Sequence, residues 1–198
     1  MIACLLTTQQ RSGPGSPISR LISADPFPLA YDACKTCADT GAFVFEKLKS
    51  SGGIRRSKRI AAEAKLNLLW LNEHWQAVET ALAPLVTADD PGKEREAAHF
   101  LDRHLRGFGP KQSRNLLQSL GLTKYEIPLD SRIGKWLRKF GFPLPISPQA
   151  LSDSDLYDFI SDGFQQLCKQ SNCYPCVLDA AIFASFDGDG WKNAKIIW

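Results

Sequence analysis

No stretch of this chain approaches the run of about twenty apolar residues that a helix needs to cross a bilayer. The opening MIACLLTTQQ has no basic n-region, no full apolar h-region and no cleavage site, so it does not read as a signal peptide. The expectation is a soluble intracellular protein, cytoplasmic or in the nucleoid of a prokaryote and nuclear in a eukaryote. Cysteine is scarce: six in 198 residues are too few for a disulfide scaffold, and intracellular thiols are ordinarily reduced and buried. No segment alternates apolar and polar residues as a strand does, and there is neither an internal repeat nor a low-complexity tract. A helical membrane span, a disulfide scaffold and a repeat array are thereby excluded.

What is present is helical spacing. With 44% hydrophobic and 23% charged residues the chain can bury an ordinary core, as one compact unit or two intimate lobes. Ala97, Phe100, Leu101 and Leu105 recur on one helical face, as do Ser113, Leu116, Leu117 and Leu120, and again Ile133, Trp136, Leu137 and Phe140. Leu156, Phe159, Ile160 and Leu167 form another stripe, with Ser152 as its expected N-cap. Pro and Gly clusters at 12–17, 26–28, 50–53, 91–92 and 143–148 punctuate these segments. The pattern predicts an all-α protein of roughly eight to ten short helices.

The net charge of +3 is ordinary, but its distribution is uneven. Lys47 to Lys65 holds seven Lys or Arg residues against Glu63, and Arg103 to Lys139 holds nine against Glu126 and Asp130. Acids gather elsewhere, at Asp153, Asp155, Asp158 and Asp162. Such segregation suits a polyanion on one face, and a solvated surface produces it too.

Two predicted helices, about 94–105 and 111–120, are joined by Arg106-Gly107-Phe108-Gly109-Pro110. Glycine permits a tight turn with positive φ, and Pro110 fixes φ where a helix begins. Amides exposed at the start of the second helix favour a phosphate, and a glycine surface admits a nucleic-acid backbone. This reads as a helix-hairpin-helix DNA clamp, or as an ordinary helical hairpin. Lys111 breaks a local rule, since a cation in the first turn faces the positive end of the helix dipole. That position should lower the amine's pKa, and a neutral amine is what a Schiff-base nucleophile needs. The other reading is a surface lysine touching phosphate. Nineteen residues later, Pro128-Leu129-Asp130 places a carboxylate as a helix N-cap, and a rigid carboxylate is also preorganised to stabilise developing positive charge.

These residues resemble the helix-hairpin-helix DNA glycosylase superfamily, whose signature is G-x-G-x-K, a helix, and then P-x-D or V-D. The resemblance runs from Leu5 to about Phe183, and the spacing of nineteen between Lys111 and Asp130 is similar to the 8-oxoguanine DNA glycosylases. Leu5-Leu6-Thr7-Thr8-Gln9 resembles an early segment whose polar residue fills the gap in the duplex, which assigns that role to Gln9, with Gln10 as its neighbour. Gly53-Ile54-Arg55-Arg56-Ser57-Lys58 resembles a loop that wedges an apolar side chain into the stack, which implies Ile54 as the wedge and Arg55, Arg56 and Lys58 as phosphate contacts. Packing on the following helix would equally account for Ile54. The segment about 175–186 resembles the base-pocket helix, with Asp179 reading a base edge where the family usually has Gln and Phe183 stacking one turn on. Arg132 stands where the family often has His and is assigned to phosphate. Ser12 to Pro17 interrupts what is normally continuous helix.

The resemblance implies one domain over 1–198, built as two helical lobes with the active-site cleft between them, the hairpin at about 94–120 and a catalytic segment at 107–130. It implies a monomeric, bifunctional glycosylase and apurinic-site lyase for oxidised purine in duplex DNA. No cofactor or catalytic metal is implied, although hairpin carbonyls could hold a structural monovalent cation. The alternatives are an endonuclease III-like enzyme for oxidised pyrimidines, a non-catalytic hairpin DNA-binding protein and a purely structural helical module. Cys168, Cys173 and Cys176 lie where relatives of that second enzyme hold an iron–sulfur cluster, but Ile182 stands at the fourth position, so no cluster is expected. Cys34-x2-Cys37 with Cys173-x2-Cys176 has zinc-site spacing, with buried free thiols as the simpler reading. His74, His99 and His104 form no ligand motif.

Overall fold

The computed structural model describes residues 1–10, 12–143 and 146–187. Among them the chain forms ten α-helices: α1 Ile2–Leu6, α2 Pro17–Ile22, α3 Tyr31–Lys35, α4 Thr40–Ser50, α5 Ser57–Leu82, α6 Pro91–His104, α7 Pro110–Ser119, α8 Ser131–Phe140, α9 Ser154–Gln170 and α10 Pro175–Asp187. Short 3₁₀ turns lie at Ala83–Val86 and Ala150–Ser152, and no described residue is in a strand. The all-α expectation holds. No helix among the described residues is long and apolar enough to cross a membrane.

Local chemistry sets the boundaries. α6 and α7 start on Pro91 and Pro110, earlier than the apolar spacing suggests, because proline is pre-set for the first helical position and has no N–H to leave unpaired. The expected cap at Ser152 is displaced by one residue. Asp153 accepts from the Leu156 amide at 2.9 Å and caps α9, while the Ser152 hydroxyl turns back to the Pro148 carbonyl at 3.2 Å. A carboxylate at this point also meets the positive end of a 17-residue helix. α8 opens on Asp130 and closes at Gly141, whose φ of 95° is the left-handed conformation that ends helices.

The chain divides into two compact units, one of Met1–Val78 with Leu105–Gly107 and one of Glu79–His104 with the chain from Phe108 onward. In the first, α1 already ends at Leu6, ahead of the expected interruption at Ser12 to Pro17, and α2 begins on Pro17 with Ser16 as its cap. α5 bends at His74, whose Nδ1 lies 3.0 Å from the Trp70 carbonyl, where a side chain has entered the hydrogen-bond ladder. In the second, Ile133 and Leu137 of α8, Tyr157, Ile160 and Phe164 of α9, and Ile182 of α10 close around Ile127 and Leu129. Full burial of a large aliphatic or aromatic side chain contributes about 1.5–3 kcal/mol relative to exposure. Ile127 and Leu129 therefore anchor the non-helical stretch that leads into Asp130.

Candidate functional site

α6 and α7 pack as neighbours across the connection Leu105–Gly109. Gly107 has φ +79°, the left-handed conformation that favours glycine, and a Cβ there would displace the Glu63 carboxylate. Gly109 is extended and a Cβ there would meet nothing within 4 Å, so there is open space at that position, although Pro110, Gln112 and Ser113 of the first turn of α7 are buried. No side chain caps that helix. The first half of the connection is clamped by a residue the sequence reading missed. Asn67 is fully buried on α5, donates to the Arg106 carbonyl at 2.9 Å and accepts from the Arg106 amide at 2.7 Å. Its signal was an asparagine sharing the buried stripe of Ile60 and Ala64.

Lys111 is the second residue of α7 and half-buried. Asp130 uses one carboxylate oxygen, Oδ1, to cap α8 by accepting from Arg132 N at 2.7 Å and Ile133 N at 3.0 Å. Its Oδ2 lies 3.4 Å from Arg132 Nη1. Asp179 on α10 accepts from Gln118 Nε2 of α7 at 2.8 Å. Burial pushes the Asp179 carboxyl up to about 6, the charge of Asp130 adds to the rise, and Gln118, Arg132 and Lys111 oppose it. Residues from α7, α8 and α10 thus share one electrostatic field. Phe183, one turn beyond Asp179, carries the Arg132 guanidinium 3.9 Å from its ring centroid. Of the predicted site residues, Asp130, Arg132 and Phe183 are joined by direct contacts, with Asp179 one turn from Phe183, and Lys111 is near enough for its charge to act on the Asp179 carboxyl. Arg132, assigned to phosphate, sits on the aromatic and beside the carboxylates.

The Asp179 shift has a consequence for stability. Its folded pKa of about 6 lies above the ordinary 3.8, so the fold holds the proton more tightly than the unfolded chain does. The contribution is full below about pH 4 and is lost as pH rises through about 6, and a shift of this size corresponds to about 3 kcal/mol at most. Asp179→Asn is therefore expected to raise the melting midpoint at pH 8 and to remove the corresponding fall between pH 4 and 6. Thermal denaturation of both proteins across that range measures the difference.

Behind Lys111 and Asp130 lies a buried charge network. Glu94 accepts from the amides of Lys124, Tyr125 and Glu126, each at 2.8 Å, and from the Thr123 hydroxyl, which fixes the turn after α7. Glu126, fully buried, accepts from Arg114, from Arg95 Nη2 at 2.7 Å, from Gln165 at 2.8 Å and from Ser161 at 3.2 Å. Arg114 also donates to Asp158 at 2.6 Å, and Arg95 to Asp162 at 2.6 Å. This corrects the charge reading. Arg114, counted in the basic run, faces inward to Glu126 and Asp158, and two of the acids that looked segregated in sequence, Asp158 and Asp162, pair with Arg114 and Arg95.

In the first unit, loops about 45 residues apart in sequence meet. Arg56 Nη1 donates to Gln9 Oε1 at 3.2 Å, the Arg55 amide donates to Gln10 Oε1 at 2.9 Å, and Gln10 Nε2 donates to the Leu6 carbonyl at 2.6 Å. Gln9 and Arg56 have φ of 56° and 61°, an uncommon conformation outside glycine that cross-loop bonds of this kind stabilise. Ile54 is half-buried between these contacts and Ser57, while Lys58 is exposed in the first turn of α5. Gln9 is thus carried by a turn rather than by continuous helix.

All six cysteines are free. Cys168 is fully buried and its thiol is pushed up to about 12, by burial first and then by Cys173 and Cys176. Ile182 belongs to the apolar core. Cys34 is buried in the other unit and its thiol is likewise raised, by burial and then by Cys37. Among the described residues no three His, Cys, Asp or Glu side chains are grouped to hold a metal ion. Comparison of the chain with protein-family models, with curated proteins and with solved structures gives no match.

Proposed function

We propose that the protein is a DNA glycosylase with apurinic-site lyase activity that removes oxidised purine, 8-oxoguanine first, from duplex DNA. What supports the reading is Lys111 on an uncapped helix start and Asp130, nineteen residues on, both acting on the half-buried carboxyl of Asp179. The nitrogen of Lys111 attacks C1′ of the damaged nucleotide. The bond from C1′ to the base breaks, and the base leaves with the electron pair and takes up a proton. Asp130 stabilises the positive charge on the sugar through Oδ2, since Oδ1 is engaged in the cap. Ring opening gives a Schiff base on Lys111; loss of a C2′ proton then expels the 3′ phosphate by β-elimination.

The flipped purine lies against Phe183, and Asp179 accepts from its N1–H and 2-amino groups. That recognition needs the carboxylate, so lesion binding rises as pH passes through about 6. Gly107 and Gly109 admit the phosphate backbone, Ile54 enters the stack, Gln9 and Gln10 face the unpaired base, and Arg55, Arg56 and Lys58 hold phosphates. Arg132 stacks at the pocket and keeps its charge near the flipped nucleotide's phosphate. A monovalent cation at the hairpin is an implication of the resemblance; it would rest on main-chain carbonyls, stiffen the turn and supply no chemistry.

The test is borohydride reduction during turnover on duplexes carrying either 8-oxoguanine or thymine glycol. A covalent band with 8-oxoguanine alone is expected. A band with thymine glycol alone would move the substrate to oxidised pyrimidines, and salt-sensitive binding with no band on either would leave a DNA-binding protein without this chemistry.

A further inference from the structure

Two side chains that no step of the proposed reaction uses grip the chain just ahead of the two residues that carry it. Arg114 is fully buried one turn into α7, and its Nη1 donates at 3.1 Å to the carbonyl of Pro110, the residue before Lys111. Tyr157 is fully buried on α9, and its hydroxyl accepts at 2.6 Å from the amide of Leu129, the residue before Asp130. The same hydroxyl donates to the Ile127 carbonyl at 3.0 Å. Burial raises the phenol's pKa, so the proton needed for that second bond stays in place. The Arg114 guanidinium carbon lies 4.4 Å from the Tyr157 ring centroid, which joins the two side chains into one block. Glu126 and Asp158 hold the guanidinium from the other side.

We propose that the Arg114–Tyr157 stack is the positioning device of the active centre, setting the separation of Lys111 and Asp130 by holding the residue before each. The inference rests on the lyase reading above, because only a reaction needing both groups at one carbon is sensitive to their separation. Both anchors are side-chain bonds to main-chain atoms, so losing one frees the backbone beside a reacting group, and a misplacement of about 1 Å costs on the order of 100-fold in rate. Neither side chain touches the sugar; both are positioning residues.

Tyr157→Phe keeps the ring on Arg114 and removes the hydroxyl alone. Arg114→Lys keeps a charge beside Glu126 and Asp158 and loses the fork that reaches Pro110. Each variant is assayed by single-turnover borohydride trapping on an 8-oxoguanine duplex, with rate constant and amplitude separated. Affinity is measured on a duplex carrying a tetrahydrofuran abasic analogue, which an amine cannot open. The trapping rate constant is expected to fall about 10- to 100-fold in both variants, with amplitude and affinity within about twofold of wild type. A merely structural role lowers the amplitude and leaves the rate constant alone, which overturns the proposal, as does a Tyr157→Phe rate constant equal to wild type. A wild-type chain that traps nothing overturns the lyase reading together with the inference, so the wild-type lane tells the two failures apart.

Discussion

Lys111→Gln is expected to give no borohydride-trapped adduct and to release the lesion base at least about 10³-fold more slowly, a rise of about 4 kcal/mol in the barrier. Glutamine approximates the length of lysine and has no nucleophilic nitrogen. α7 should tolerate it: Pro110 still opens the helix, and removing a cation from the positive end of the dipole stabilises it by a few tenths of a kcal/mol. Affinity for the tetrahydrofuran duplex should fall only by the worth of one cationic contact. Single-turnover kinetics with a parallel binding titration separate the two effects. If Lys111 does no more than touch phosphate, the pattern reverses: the salt dependence of binding drops by about one ion, and excision proceeds at the wild-type rate.

Glu126→Ala is expected to cost about 3–5 kcal/mol of stability, because a buried ion pair that loses one partner leaves the other charge uncompensated. Glu126 has no exposed surface and serves Arg114, Arg95, Ser161 and Gln165 at once. For a chain of this size the loss corresponds to a melting midpoint lower by about 10 °C. Asp158 still pairs with Arg114 in the variant, which keeps the effect toward the lower end. Adding Arg114→Met should recover part of the stability, since an apolar pair tolerates burial that a lone guanidinium does not. Thermal denaturation of the single and double variants checks both statements; a single variant within about 1 kcal/mol of wild type would mean that water reaches the network.

The helical character, the interruption before α2, the turn around Gly107 and the cap at Asp130 were all legible in the sequence, because each is written in residues a few positions apart. Apolar spacing, proline at a helix start, glycine at positive φ and a capping aspartate act locally, and nothing distant overrode them. The Ser152 cap was misplaced by one residue where two capping side chains stood in succession and the carboxylate prevailed. The interior network was not legible. Glu94, Arg95, Arg114, Glu126 and Asp158 have the composition of a solvated surface, and only tertiary packing brings Glu126 to Arg95, 31 positions earlier, and Arg114 to Asp158, 44 positions later. Counting Arg114 as a basic surface residue was the direct consequence. Asn67 was a missed opportunity of another kind, since a polar residue on an otherwise apolar helical stripe announces a buried bond. Asp179 and Phe183 were legible as a pair one helical turn apart, but the Arg132 guanidinium on Phe183 depends on the packing of α10 against α8.

Peptide mapping of the borohydride-reduced adduct probes the proposed nucleophile without intermediaries. After turnover on an 8-oxoguanine duplex, nuclease trimming and proteolysis, the reduced sugar remnant should be found by mass on the peptide containing Lys111 and at that side chain alone. A remnant on the amino terminus or on any other lysine, with Lys111 unmodified, would contradict the chemistry assigned to this site.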